Sequence, residues 1–161
     1  MTPGVLVIGI GNEFRSDDGA GLCTVRALRR RGHPDVTVLE RSGEGTALLE
    51  TWKGAACVLL IDAVQPGHCP GGLHRIDCHH EAVPHSLFRS SSHTFGVSEA
   101  IALASSLGSL PRVLLLYGIE GSSFAQGTGL SDAVVRGIPD LLAWIEEDIA
   151  ELMHTKEPAR G

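Results

Sequence analysis

The chain has 161 residues, 43% of them hydrophobic and 20% charged, which is the size and balance of one globular domain able to bury a full core. Its formal net charge of −6, with no block of lysine or arginine, argues against nucleic acid as a partner. The opening MTPGVLVIGIGNE has no basic segment ahead of its short apolar run, and no later run is long enough to span a bilayer. A cytoplasmic protein with no membrane partner is expected, its cysteines (Cys23, Cys57, Cys69, Cys78) lacking any CxxC pair and reading as reduced thiols.

VLVIG (5–9) is an apolar run that ends in glycine, as a strand buried on both faces should be. A helix follows over 18–31, with Leu22, Val25 and Leu28 on one side, RRR in its last turn and Gly32 just beyond it. VTVLE (36–40) is the second strand, 44–53 the second helix and ACVLLIDAV (56–64) the third strand. PGGLHRID (70–77) reads as a turn feeding a shorter edge strand of period two. After a serine-rich loop, RSSSHTFG (89–96), come a helix over 96–107 and the apolar strand RVLLLYGIE (112–120). The last helix carries Leu141, Leu142, Ile145, Ile149 and Leu152 on one face, with Pro139 expected to start or kink it. One domain over 1–153 and a loose tail over 154–161 are expected.

Strands alternating with helices predict an α/β fold: a three-layer α/β/α sandwich around a mainly parallel, twisted sheet of about five strands. Ligands in such folds bind at the carboxyl ends of the strands. That edge collects Asp17 and Asp18, Glu40, Asp62, Glu120 and the loop containing His93. A dinucleotide reading of GIGNEF fails, because Phe14 stands where the third glycine belongs and the acid pair would repel a pyrophosphate. An aspartate at a helix start is a favoured cap, which accounts for one carboxylate of the pair but not both. Asp62 closes the most apolar strand, where a carboxylate costs desolvation unless it faces the crevice. Taken alone, Asp62 fits a loop hydrogen-bonder and His93 a helix-entry residue. Together, two carboxylates and an imidazole make an O,O,N set with open positions, suited to nickel, iron or zinc.

GIGNEFRSDDGAG after the first strand, LLIDAV near 60, SSHTFGVSEAIALA near 93 and the closing YGIE...GLSDAVVRGIPDLLAWI resemble the hydrogenase maturation proteases. The resemblance runs in order over nearly the whole chain. It implies an α/β/α fold and an endopeptidase of aspartyl type that trims the C-terminus of the [NiFe] hydrogenase large-subunit precursor. By motif, the family's metal-binding and catalytic trio falls on Asp18, Asp62 and His93. Family members whose first acid is glutamate are a methylene longer at that position, so the DD pair leaves the choice between Asp17 and Asp18 open. The resemblance further implies no permanently bound cofactor: nickel carried by the substrate is the recognition element, acting as a Lewis acid while a carboxylate orients water. The partner is then the precursor, and the protein a monomer.

Glu40 is a further candidate acid or base, or a solvated surface glutamate. HCPGGLHRIDCHH places His68, Cys69, His74, Cys78, His79 and His80 in a short span, a second candidate for zinc or nickel, although strand alternation would send its side chains to opposite faces. Two other functions compete. A nickel-binding assembly chaperone would use the same trio as a carrier. A peptidyl-tRNA-hydrolase-like enzyme would need a basic surface and a histidine soon after the first loop, whereas the nearest is His33, beyond the first helix.

Overall fold

Apolar runs of five to eight residues, too short for stable helices, pair into a sheet whose central strand β3 (Cys57–Val64) is buried at every position. The computed structural model describes residues 4–65, 69–88 and 93–155. Beside β3 lie β1 (Val5–Ile10) and β5 (Val113–Glu120), with β2 (Val36–Arg41) and β4 (Leu73–Asp77) at the edges, in the order β2-β1-β3-β5-β4. All pairings are parallel except β4 with β5, which is antiparallel, as the expected edge strand of period two allows.

Four helices cover the two faces. Helices α1 (Ala20–Arg30) and α4 (Asp132–His154) bring Val25, Leu28, Leu141 and Ile145 against Val7, Leu59, Ile61 and Tyr117. On the other face, α2 (Gly45–Trp52) and α3 (Val97–Ser106) bring Leu48, Trp52, Ala100 and Ile101 against Ile8, Leu60, Leu114 and Leu116. The two clusters alternate along each strand, as the two-residue period requires. The result is the α/β/α sandwich with a mostly parallel sheet of five strands.

Two boundaries differ from expectation. The first helix begins as a short 3-10 turn (Ser16–Gly19) before α1, because Ser16 takes a positive φ of 52° and the chain is still turning there. Pro139 neither starts nor ends α4, which begins at Asp132 after Ser131 and runs through His154. A proline within a helix removes the bond to the carbonyl four residues back, here Val135. Both residues lie on the exposed side of α4, where water can take that carbonyl. Of the expected tail, residues 156–161 lie outside the described residues.

An ionic cluster fastens the antiparallel edge. Arg75 on β4 donates to both oxygens of Asp148 on α4, at 2.8 and 3.0 Å, and the buried Tyr117 hydroxyl on β5 donates to the same carboxylate. Among the described residues no helix is long and apolar enough to cross a membrane.

Candidate functional site

The chain leaves β1 for β2 on one side and later returns to place β3 on the other. This makes a switch point where the loops diverge and a crevice opens at the strand ends. A cavity of about 330 Å³ occupies this place, and Asp18, Asp62 and His93 all line it. The structure therefore brings to one cleft three residues that are 31 or more positions apart in sequence.

Gly11 makes the turn out of β1. Its φ is +146°, and a Cβ there would lie 1.9 Å from the carbonyl oxygen of Asp18. With no side chain in the way, the loop closes on itself: Asn12 N–H reaches the Asp18 carboxylate at 3.1 Å, and Asp18 N–H reaches the carbonyl of Arg15 at 3.1 Å. Gly21, in the first turn of α1, serves a second close approach, since a Cβ there would sit 2.4 Å from the carbonyls of both Ile10 and Ile61. The glycines thus seat the helix on the sheet, and the acid pair stands where a phosphate-binding loop would offer bare N–H groups.

The two neighbouring aspartates part company. Asp17 is wholly buried and turns toward the β5–α4 loop, where Ser131 N–H donates to its Oδ1 at 2.7 Å. Its Oδ2 accepts from Ser122 N–H at 2.8 Å, Ser123 N–H at 3.3 Å and the Ser131 hydroxyl at 2.9 Å. Burial works against its charge, yet the donors of Ser131, Ser122 and Ser123 outweigh it and hold the carboxyl below its usual range. Backbone bonds continue the clamp, with Ser16 N–H to Gly127 O, Gly127 N–H to Phe14 O and Asp17 N–H to Ser123 O at 2.9, 2.9 and 3.0 Å. Asp18, by contrast, points into the cleft. Burial raises its carboxyl, against the Asn12 N–H and attraction to Arg15 and His93.

Asp62 lies on the face of β3 shared with Leu60 and covered by α2 and α3, at a position 2% exposed. Its Oδ1 is buried without a hydrogen-bond partner, the one such side-chain oxygen or nitrogen among the described residues. Burial first and the charge of Asp18 second push its carboxyl well above the usual range, with only the Ala63 N–H opposing them. A cation held by these carboxylates would offset their mutual repulsion and part of the cost of burial.

His93 is delivered by the loop ahead of α3. Gly45 N–H donates to Phe95 O at 2.8 Å, and the Phe95 ring lies where a Cβ on Gly45 would be, 2.2 Å away, so this loop is seated on the start of α2. Glu44 caps α2 by accepting from the N–H groups of Thr46 and Ala47 at 3.0 and 2.8 Å. His93 is half-buried, and its charge favours the ionised forms of both Asp18 and Glu44. Among the described residues no three or more His, Cys, Asp or Glu side chains stand close enough together to hold a metal ion by themselves. The trio lines an open cleft.

Glu40 is not a free acid or base: it accepts from Arg26 at 2.7 Å and Arg29 at 3.2 Å, which hold its carboxyl low. The histidine and cysteine cluster disperses. His74 pairs with Glu120, His79 with the carbonyl of Pro111 and His80 with Asp77. Cys78 is buried, its thiol pushed up to about 12, and His68 lies outside the described residues. His33 hydrogen-bonds Glu146 on α4 and takes no part in the cleft, contrary to what a peptidyl-tRNA-hydrolase-like site would need. Arg15 is a cleft residue that sequence reading passed over; its position between the GxGN turn and the acid pair was the available signal.

The family model described as HycI, hydrogenase maturation protease, matches residues 23–148. The chain belongs to the hydrogenase maturation protease family. It is 34% identical to the hydrogenase expression/formation protein HupM of Azotobacter chroococcum over 99% of this chain and 78% of that one. It is 35% identical to the hydrogenase expression/formation protein HupD of Thiocapsa roseopersicina, over 73% of this chain but only 54% of the relative, so the match spans about half of that protein. Among solved structures, the [NiFe] hydrogenase maturation protease HybD from Thermococcus kodakarensis superposes with a TM-score of 0.68 at 27% identity, covering 89% of this chain and 97% of that one. The fold and the family agree with the resemblance read from the motifs.

Proposed function

We propose that this chain is an endopeptidase that removes a C-terminal peptide from a [NiFe] hydrogenase large-subunit precursor, and that it recognises the precursor by the nickel already in it. Family membership supports the peptidase class. The observation that carries the nickel reading is the buried Oδ1 of Asp62, which accepts no hydrogen bond and belongs to a residue lining the same cleft as Asp18 and His93. Such an oxygen is costly unless it meets a cation, and two carboxylates with an imidazole fit a borderline divalent ion such as nickel.

Asp18, Asp62 and His93 are the residues that would hold the substrate's ion, leaving its remaining positions to the precursor. Bound there, nickel supplies Lewis-acid polarisation of the scissile carbonyl. The carboxylates orient the attacking water, which is the sense in which the enzyme is of aspartyl type. Four free cysteines are in keeping with a cytoplasmic enzyme.

The test is incubation with hydrogenase precursor prepared with and without nickel. Release of a short C-terminal peptide from the nickel-loaded form alone, insensitive to inhibitors of serine and cysteine nucleophiles, is the expected result. Equal cleavage of both forms overturns the nickel reading. Nickel binding without cleavage of any precursor favours a carrier instead.

A further inference from the structure

Beside the trio the cleft carries a cation, Arg15, whose charge favours ionised Asp18. Arg15 lines it beside Asp18, and its backbone is fixed: its N–H donates to Asn12 O and its carbonyl accepts from Asp18 N–H, both at 3.1 Å, with a bridge to Gly127. Its guanidinium, however, has no hydrogen-bond acceptor among the described residues. Two other arginines among the described residues are half-buried like it, and both are occupied, Arg26 by Glu40 and Glu13, Arg41 by Thr51 and the carbonyl of Glu40. The acids nearest in sequence are spoken for: Glu13 by Arg26 and Asp17 by the serines, while Asp18 takes the Asn12 N–H. A half-buried arginine without an acceptor among the described residues, in a cleft lined by Glu13, Asp18 and Asp62, is placed to receive an anion from outside.

We infer that Arg15 holds the carboxylate that hydrolysis creates on the retained chain. The inference rests on the peptidase reading. Hydrolysis breaks the C–N bond, places the water oxygen on the carbonyl carbon and sends both water protons to the leaving nitrogen. A neutral amide thus becomes a carboxylate and an ammonium. The carboxylate arises in a cleft that already contains Asp18 and Asp62, and Arg15 offsets its charge with a planar pair of N–H donors. Arg15 is therefore a substrate-binding residue whose contact strengthens as the bond breaks.

The experiment uses two synthetic peptides matching the last residues of the processed subunit, one with a free C-terminal carboxylate and one amidated, as inhibitors of precursor cleavage. The unaltered enzyme should bind the acid form roughly 10- to 100-fold more tightly than the amide, the span of one charge-assisted pair. Arg15→Met should abolish that preference and slow cleavage, while Arg15→Lys, which keeps the charge without the fork, should retain part of it. Because the bonds fixing residue 15 are main-chain, both variants should melt with the parent protein. An enzyme that cleaves precursor but treats acid and amide alike, or an Arg15→Met variant that still prefers the acid, overturns the assignment alone. Failure of the unaltered enzyme to cleave any precursor overturns the peptidase reading and this inference with it.

Discussion

Asp17 and Asp18 are adjacent in sequence and both buried, but they belong to different parts of the molecule. Asp17 sits in a clamp whose four donors saturate it, and the β5–α4 loop is ordered around it. Asp18 sits in a cleft with Asp62, where carboxylate faces carboxylate and one oxygen has no donor at all. The difference teaches how to separate structural from functional acids: a buried carboxylate with all its donors stabilises the fold, and one without them is maintained at the fold's expense.

The sharpest break of this comparison is Asp62→Asn. It removes the charge but keeps size and hydrogen bonding, so precursor cleavage and nickel affinity should fall by roughly 100-fold or more, judged by the effect of disturbing metal ligands and their supports. Stability should hold or rise, because a buried carboxylate with one oxygen lacking any donor gives way to a neutral amide; thermal melting of the variant below the parent protein contradicts the assignment.

Asp17→Ala should show the reverse pattern. Three backbone N–H groups and a hydroxyl lose their acceptor, at a cost of about 3 kcal/mol, or a Tm lowered by roughly 6–12 °C in a domain of this size. Nickel affinity of the fraction that remains folded, measured well below the Tm, should change far less than in Asp62→Asn.

Gly11→Ala tests the hinge between the two regions. A Cβ there meets the Asp18 carbonyl at 1.9 Å and the φ of +146° disfavours any side chain, so stability should drop by about 2 kcal/mol and cleavage by more than that loss explains. Normal processing at a temperature where the variant is folded would mean that Asp18 tolerates displacement.

The smallest effect is expected outside both regions, at Glu40. Arg26 and Arg29 hold its carboxyl below the ordinary 4.5, so its contribution is present at neutral pH and lost as pH falls through the depressed value. Glu40→Gln should therefore cost less than about 1 kcal/mol at pH 7, and the gap to the parent protein should close in denaturant titrations well below pH 4.5. Cleavage should persist, since Glu40 is committed to its arginines.

Much of this architecture was legible because it rests on local pattern. The apolar runs became β1, β2, β3 and β5, the period-two segment became the antiparallel edge strand, and of the acids predicted at the strand ends Asp18 and Asp62 share a cleft while Asp17, Glu40 and Glu120 are bound elsewhere. What escaped the sequence depends on distant partners. Asp17 is drawn away from the cleft, which Asp18 lines, by serines 105 to 114 residues away, and no local signal states it. Glu40 looked like a free acid because its arginines lie on α1, 11 and 14 positions earlier and a crossover away. Pro139, expected to start or kink the helix, does not start it, because the cost of an interior proline falls when its freed carbonyl faces water. Arg15 was passed over because its meaning comes from its place in the cleft, without an acceptor among the described residues.

The clamp also bears on the order in which the molecule is completed. Asp17 is synthesised early, whereas its donors Ser122, Ser123 and Ser131 arrive more than a hundred residues later. At ribosomal rates of about 5–20 residues per second, the interval is on the order of 5–20 s. Throughout it, β1, α1 and β3 can form while the carboxylate beside the cleft still binds water. Closure of the first loop therefore belongs to the last stage of folding, once the chain beyond β5 has docked. A nascent chain has no finished cleft until the β5–α4 loop has emerged and docked on Asp17.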